Sequence, residues 1–253
     1  MLISIIIPVY NELRTLPEVL RRVKDAVLPL GCTKEVLVID DGSTDGTTRL
    51  VEEYMTCGLV HGYQTRENRG KGSAIREGIR RATGEIILIQ DADLEYDPND
   101  YLALLGSIVE GRTDITYGSR FRGHIIGMAW KNWIANKALT YSANILYSAK
   151  ITDEATAYKA FRASVLRRIE LKCQRFEFCP EVTAKLCRLG YKIHEVPIRY
   201  TSRTISEGKK VRFTDGVAAL LTLILYRLVP IKSFDLHGNA SYVGAPKAKI
   251  KGF

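Results

Sequence analysis

Ile86-Ile87-Leu88-Ile89-Gln90-Asp91-Ala92-Asp93-Leu94-Glu95 is an apolar run that ends in acidic residues at alternate positions. A strand of that composition is buried on both faces, so carboxylates are tolerated only where it leaves the sheet. The acids therefore stand at its C-terminal edge. In an open α/β sheet that edge binds ligands, and hard cations such as Mg²⁺ or Mn²⁺ take oxygen ligands while leaving positions for phosphate and water. Asp91, Asp93 and Glu95 are the candidate metal ligands. Paired aspartates also occur in plain surface turns. What favours a metal site is the buried strand before them and, after them, Asp97-Pro98-Asn99-Asp100, a helix start with an N-cap and an early proline.

Upstream, strand-like and helix-like segments alternate. Leu2 to Val9 reads as the first strand; Thr15-Leu16-Pro17-Glu18 then has the spacing of a capping box, and Leu16, Val19, Leu20, Val23 and Val27 repeat at helical spacing. Glu35 to Ile39 is a second strand, ending in the turn-rich Asp40-Asp41-Gly42-Ser43-Thr44-Asp45-Gly46-Thr47. Leu59 to Gln64 is a third, followed by Asn68-Arg69-Gly70-Lys71-Gly72-Ser73, whose glycines would let a ligand approach the backbone and whose Lys71 brings charge to the same edge. Neither the P-loop nor the dinucleotide fingerprint is matched, and Pro8-Val9-Tyr10-Asn11 after the first strand argues against a dinucleotide oxidoreductase. Asp114 to Ser119 is the next strand and leads into Arg120. The pattern predicts an α/β fold with a mostly parallel central sheet flanked by helices.

Beyond this point the alternation fades. Trp130 to Tyr147 and Cys179 to Leu189 read as helices and Tyr191 to Tyr200 as a strand. A basic loop follows, with Arg199, Arg203, Lys209, Lys210 and Arg212 against Glu207. Thr214 to Val229 is an apolar helix too short to span a bilayer, so it packs in a core or dimer, or lies in a membrane interface. The expected organisation is a catalytic domain over 1–212, the apolar helix over 213–230 and a mobile tail over 231–253.

At 253 residues and 46% hydrophobic, the chain can bury one large core. No leader or membrane span is evident, and Cys32, Cys57, Cys173, Cys179 and Cys187 lack metal-ligand spacing, so the expectation is a cytoplasmic protein with reduced thiols. A formal net charge of +9 points to an anionic partner. Without interleaved aromatics or a nucleic-acid motif, that partner is expected to be phosphate or anionic lipid, with no nucleic acid.

Ile7-Pro8-Val9-Tyr10-Asn11-Glu12, the Asp40–Thr47 loop, Asn68-x-Gly70-Lys71-Gly72 and Asp91-Ala92-Asp93 stand in an order and spacing that resemble the family 2 glycosyltransferases, which have the Rossmann-like A-type glycosyltransferase fold. Within that family, Gly118-Ser119-Arg120, Asp153-x-x-Thr156-x-Tyr158-Lys159 and Glu195-Val196-Pro197-Ile198 look like the dolichol-phosphate mannose synthase-like subgroup. Ala157 departs from the usual Gly or Ser of that subgroup, and Glu95 from a frequent Gln. The resemblance implies metal-dependent, inverting transfer of a hexose, mannose or glucose, from a GDP- or UDP-sugar to a polyprenyl phosphate at the cytosolic membrane face.

It also implies roles for residues. Pro8, Tyr10, Glu12, Asp40 and Asp41 would surround the base and ribose; Asp91, Asp93 and Glu95 would hold Mg²⁺ or Mn²⁺ on the diphosphate, helped by Lys71. Arg203 and Lys209 would stabilise the departing diphosphate, the lesser alternative being a solvated charge run. Arg120, with Lys131 second to it, would meet the acceptor phosphate. Such an acceptor needs no general base, whereas a sugar hydroxyl does. Asp153 would accordingly orient a phosphate acceptor's site or, beside Glu154, act as base in a polysaccharide-type glycosyltransferase. A non-catalytic sugar-nucleotide-binding protein is the remaining alternative.

Overall fold

The computed structural model describes residues 1–203, 213–235 and 239–245. Seven strands, β1 (Leu2–Val9), β2 (Thr33–Asp40), β3 (His61–Gln64), β4 (Ile86–Ile89), β5 (Ile115–Ile126), β6 (Lys159–Arg162) and β7 (His194–Thr201), form one sheet in the order β3-β2-β1-β4-β6-β5-β7. β1 pairs in parallel with β2 and β4, and β5 with β7; β6 is antiparallel to both β4 and β5. The expected mostly parallel α/β sheet is therefore present. Residues of β1 alternate between two cores: Ile3, Ile5 and Ile7 join one, Ile6 joins Leu37, Ile39, Ile87 and Ile89 in the other. Helices must cover both faces, which is why strands with apolar residues at every position are stable here.

The covering helices are α1 (Leu16–Asp25), α2 (Thr47–Thr56), α3 (Lys71–Arg81), α4 (Tyr101–Val109), α5 (Trp130–Tyr147), α6 (Ala163–Leu166), α7 (Phe178–Arg188) and α8 (Phe213–Leu228). α1 stops before Val27 because Ala26 is extended. Its capping box does not form. Thr15 Oγ1 donates to Glu12 Oε2 at 2.7 Å, while Glu18 is taken by Arg21 and Arg22 at 2.7 Å each. Asp97 does cap, accepting from Asn99 N at 3.0 Å. β6 was not anticipated: only four residues long, with a charged lysine buried in it, it lacks the apolar signature of a central strand. The sheet reverses its winding direction between β1 and β4, and the C-terminal ends of these two strands flank the crevice where ligands bind in such folds.

α8 packs on α5 and α7 through Ala219 and Leu223. After α8, β8 (Ile231–Phe234) pairs antiparallel with β9 (Ala240–Val243). Arg188 ties this end of the molecule to α7. Its guanidinium donates to the carbonyls of Tyr226, Val229, Val243 and Gly244 at 2.5 to 3.0 Å, satisfying acceptors that a helix end leaves open. Arg188→Ala is expected to cost about 2–3 kcal/mol of stability, the scale of hydrogen bonds to a charged donor. Amide hydrogen exchange should show the loss in α8 and the hairpin; unchanged protection there would mean the arginine is dispensable.

Candidate active site

β4 ends at Ile89, and the acidic stretch begins with a buried glutamine. Gln90 Oε1 accepts from Tyr101 Oη at 2.7 Å and Tyr158 Oη at 2.6 Å, and its Nε2 donates to Asp91 O at 2.8 Å. Leu94 then adopts a positive φ of 63°. The chain has left the extended conformation, so alternate spacing no longer places the three acids side by side. Asp91 Oδ1 lies 2.6 Å from Lys71 Nζ, an electrostatic contact that leaves the buried oxygen without an aligned hydrogen bond. Asp93 Oδ2 pairs with Arg203 Nη2 at 3.0 Å, and Arg203 also reaches Glu12 at 3.2 Å. Glu95 stays close to Asp93, its N donating to Asp93 Oδ1 at 3.1 Å. Its carboxylate accepts from Tyr200 Oη and from Arg203 N, both at 2.8 Å.

The electrostatics follow from this crowding. Burial, then the charges of Asp91 and Glu95, push the Asp93 carboxyl up to about 7 against the pull of Arg203 and Lys71. Burial opposes the charge on Lys71, yet Asp91 more than offsets it and raises the lysine above its ordinary value. Among the described residues these acids outnumber Lys71 and Arg203, the two cations paired with them.

The loops beside it are mostly occupied by their own chain. Asp40 is buried and accepts from Ser43 N at 3.0 Å and from the hydroxyls of Ser43, at 2.6 Å, and Thr48. Asp41 accepts from Arg69 N at 3.0 Å and Gly70 N at 2.6 Å. The glycines of the Asn68–Ser73 loop serve an unexpected purpose. A Cβ on Gly70 would sit 2.6 Å from Gln174 O, and one on Gly72 2.9 Å from Arg175 O. Gly72 N and Ser73 N each donate, at 2.8 Å, to Arg175 O and Gln174 O. The first amides of α3 are therefore covered by the 174–175 backbone and do not face a ligand.

At the other end, Arg120 and Asp153 form a buried bidentate pair. Arg120 Nε and Nη2 each donate at 2.7 Å, and Arg120 N donates to the same carboxylate at 2.9 Å. Asp153 and neighbouring charges hold the guanidinium well above its usual range despite burial. Tyr200 lies 5.1 Å beneath this guanidinium while its hydroxyl bonds Glu95, so one ring touches both ends of the site. Glu154 is fully buried, neither oxygen has a hydrogen-bond partner among the described residues, and burial raises its carboxyl. Lys131 is exposed beside Trp130.

A cavity of 2420 Å³ joins the parts. Pro8, Tyr10, Glu12 and Asp41 line one end, Lys71, Asp91, Asp93, Glu95 and Arg203 the middle, and Arg120, Lys131 and Glu154 lie toward α5 and α8; Asp40 and Asp153 are not in its wall. Lys209 lies outside the described residues. Sequence reasoning missed Gln90, Tyr200 and the partners of Glu12, because hydrogen bonds between distant strands leave no local spacing to read.

Residues 4–170 match the family model described as Glycosyl transferase family 2. The chain belongs to this glycosyltransferase family. It is 33% identical over 222 residues to an undecaprenyl-phosphate mannosyltransferase of Micrococcus luteus, covering 81% of this chain and 85% of the relative. A polyprenol monophosphomannose synthase of Mycolicibacterium smegmatis is 30% identical over 217 residues, covering 81% and 79%. Among solved structures, glucosyl-3-phosphoglycerate synthase of Mycobacterium tuberculosis has the same fold. Its complex with Mn²⁺, UDP and glucosyl-3-phosphoglycerate superposes with a TM-score of 0.65 at 16% identity, covering 97% of this chain and 88% of that one. The same enzyme has been crystallised with Mg²⁺ and UDP, at a TM-score of 0.67, 18% identity and coverage of 96% and 87%.

A divalent cation fits the residues of this family 2 glycosyltransferase at Asp91 and Asp93. The donors are hard carboxylate oxygens, Asp91 Oδ1 is buried without an aligned hydrogen bond, and among the described residues the acids outnumber the two cations paired with them. Asp93 and Glu95 each accept one hydrogen bond on either oxygen, and among the described residues no three His, Cys, Asp or Glu side chains are grouped as a metal cluster. Two carboxylates suffice for a cation that completes its shell with phosphates and water.

Proposed function

We propose that this glycosyltransferase moves mannose or glucose from a GDP- or UDP-sugar to a polyprenyl phosphate at the cytosolic membrane face, with Mg²⁺ or Mn²⁺ held by Asp91 and Asp93. The observation that carries the reading is the commitment of Asp153 to Arg120. It is fully buried, takes three hydrogen bonds from Arg120 and does not line the cavity, so it orients a guanidinium and is not presented to a substrate proton. A phosphate monoester needs no proton removed; it needs a fixed cation, and Arg120 is one. The names of the relatives support the same acceptor class.

Pro8, Tyr10 and Glu12 line the end assigned to the nucleotide, and Asp40 and Asp41 shape that end by holding its loops. The cation, when bound, neutralises charge developing on the departing diphosphate. Arg203 and Lys209 assist it, with Arg203 exchanging its carboxylate partners for phosphate. In-line attack by the acceptor phosphate oxygen inverts the anomeric carbon.

The lipid chain leaves the cavity between α5 and α8, and these helices rest on the bilayer. Trp130, Trp133 and Ile134 of α5 and Leu221, Ile224, Leu225 and Leu228 of α8 are exposed apolar residues, with Lys131 among them to meet anionic headgroups. No helix in the described residues is long and apolar enough to cross a membrane. Leu221 and Ile224 are 59% and 40% exposed, so Leu221→Glu with Ile224→Glu should fold normally. The double variant is expected to lose at least tenfold in sedimentation with anionic liposomes; undiminished binding would remove the face from contact with lipid.

The direct test incubates the protein with Mg²⁺ or Mn²⁺, polyprenyl phosphate in detergent and labelled GDP- and UDP-hexoses, counting label in the organic phase. One observation favours a hydroxyl acceptor instead: the unpartnered Glu154, a latent base at the cavity wall. Glu154→Gln separates the readings. Lipid product formed within about threefold of the parent rate keeps the phosphate acceptor, whereas label passing only to hydroxyl acceptors, and only with Glu154 present, replaces it.

A further inference from the structure

The motif Glu195-Val196-Pro197-Ile198 takes no part in the site so far. Glu195 stands on β7 opposite Tyr117 of β5, just before the strand residues that lead to Arg120, and only 7% of it is exposed. Its carboxylate is turned away from solvent onto the turn that carries Asp153. Thr152 N donates to both oxygens at 2.8 Å, Thr152 Oγ1 to Oε2 at 2.9 Å, and Asp153 N to Oε1 at 3.0 Å. Since the Thr152 hydroxyl spends its proton on Glu195, the 2.6 Å contact between Thr152 and Ser119 is made by Ser119 donating. Ser119 Oγ in turn accepts from Arg122 N at 3.2 Å, and Arg122 Nη1 returns to Glu195 O at 2.8 Å. The network thus closes around Arg120 from both sides in sequence.

We infer that Glu195 is a positioning residue for the acceptor, acting through Asp153 on Arg120. A carboxylate is required because every group facing it is a donor: two backbone amides and a hydroxyl. Gln at this position would turn an NH₂ toward one of those amides, leaving a buried donor unpaired and tilting the 152–153 turn. Asp153 moves with the turn, and the plane of the Arg120 guanidinium moves with Asp153, because the pair is bidentate. The donor end is held by other elements, chiefly Gln90, Lys71 and Arg203, and is not linked to Glu195 by these bonds. The inference rests on the reading that Arg120 meets the acceptor phosphate.

Steady-state kinetics with polyprenyl phosphate and the nucleotide-sugar varied separately test it, on the parent protein, Glu195→Gln, Arg120→Lys and the double variant. Glu195→Gln is expected to raise the KM for polyprenyl phosphate about tenfold, the loss of one charge-assisted hydrogen bond, with the donor KM within twofold. The double variant should be no worse than Arg120→Lys alone, since both changes act through one guanidinium. An unchanged acceptor KM in Arg120→Lys sinks the phosphate reading itself. A raised acceptor KM in Arg120→Lys, with Glu195→Gln altering both KM values alike or adding fully to it, overturns only the positioning role. Should Glu195→Gln fail to unfold cooperatively, Thr152→Val replaces it, removing the hydroxyl link alone; an acceptor KM raised about threefold upholds the inference and an unchanged one ends it.

Discussion

Replacing Asp93 by alanine lowers lipid-linked product formation on the order of 10³-fold, the scale on which enzymes lose rate when one preorganised charge at the reacting centre is removed. The expectation follows from position. Asp93 stands where the sheet reverses its winding, beside Asp91, among described acids that outnumber Lys71 and Arg203, the two cations paired with them. The fold should survive, since Arg203 keeps its pairing with Glu12 at 3.2 Å. Chelation of the parent protein should give a comparable loss, restored by Mg²⁺ or Mn²⁺. A folded Asp93→Ala variant that still turns over would remove Asp93 from the chemistry, and full activity in chelator would remove the cation. Glu95→Gln serves as contrast: because Glu95 is engaged by Tyr200 and Arg203, its effect is expected to stay below tenfold.

Arg120→Ala should damage stability and catalysis by separable routes. Removing the guanidinium leaves Asp153 fully buried with only Arg120 N as a partner from that residue, and an uncompensated buried charge of this kind costs about 3–5 kcal/mol. Asp153→Ala in addition removes the stranded carboxylate, so the double variant should be more stable than Arg120→Ala alone by chemical denaturation. Activity follows the opposite logic. The double variant is expected to regain stability but not function, because the guanidinium proposed to meet the acceptor phosphate is still missing. If the acceptor KM returns with stability, Arg120 is a structural residue and the phosphate site lies elsewhere.

Much of the fold was legible because β1, β4 and the Val36–Ile39 stretch of β2 are apolar at nearly every position and separated by helices with a clear repeat. The placement of Asp91 and Asp93 was legible for the same reason: a carboxylate after such a run can stand only at the sheet edge. Beyond Ile89 the backbone turns and Leu94 takes a positive φ, so strand alternation does not describe how Glu95 is presented. Gly70 and Gly72 were read as room for a ligand, and the space they leave is filled by Gln174 and Arg175, about a hundred residues later in the chain. The antiparallel β6 escaped because its burial is imposed by neighbours on both sides.

By itself the sequence determined the α/β sheet, the edge on which chemistry occurs and the family to which the chain belongs, since each is written in local patterns of apolar residues and short ordered motifs. The tertiary structure alone decided what each charged side chain is free to do. Asp40 and Asp41 are engaged by nearby amides and hydroxyls, Asp153 is bound to Arg120, and Asp91, Asp93 and Glu95 crowd together around Lys71 and Arg203. Those partners come from strands and turns far apart in the chain. A carboxylate's availability depends on which donors reach it in space, and spacing along the sequence does not encode that.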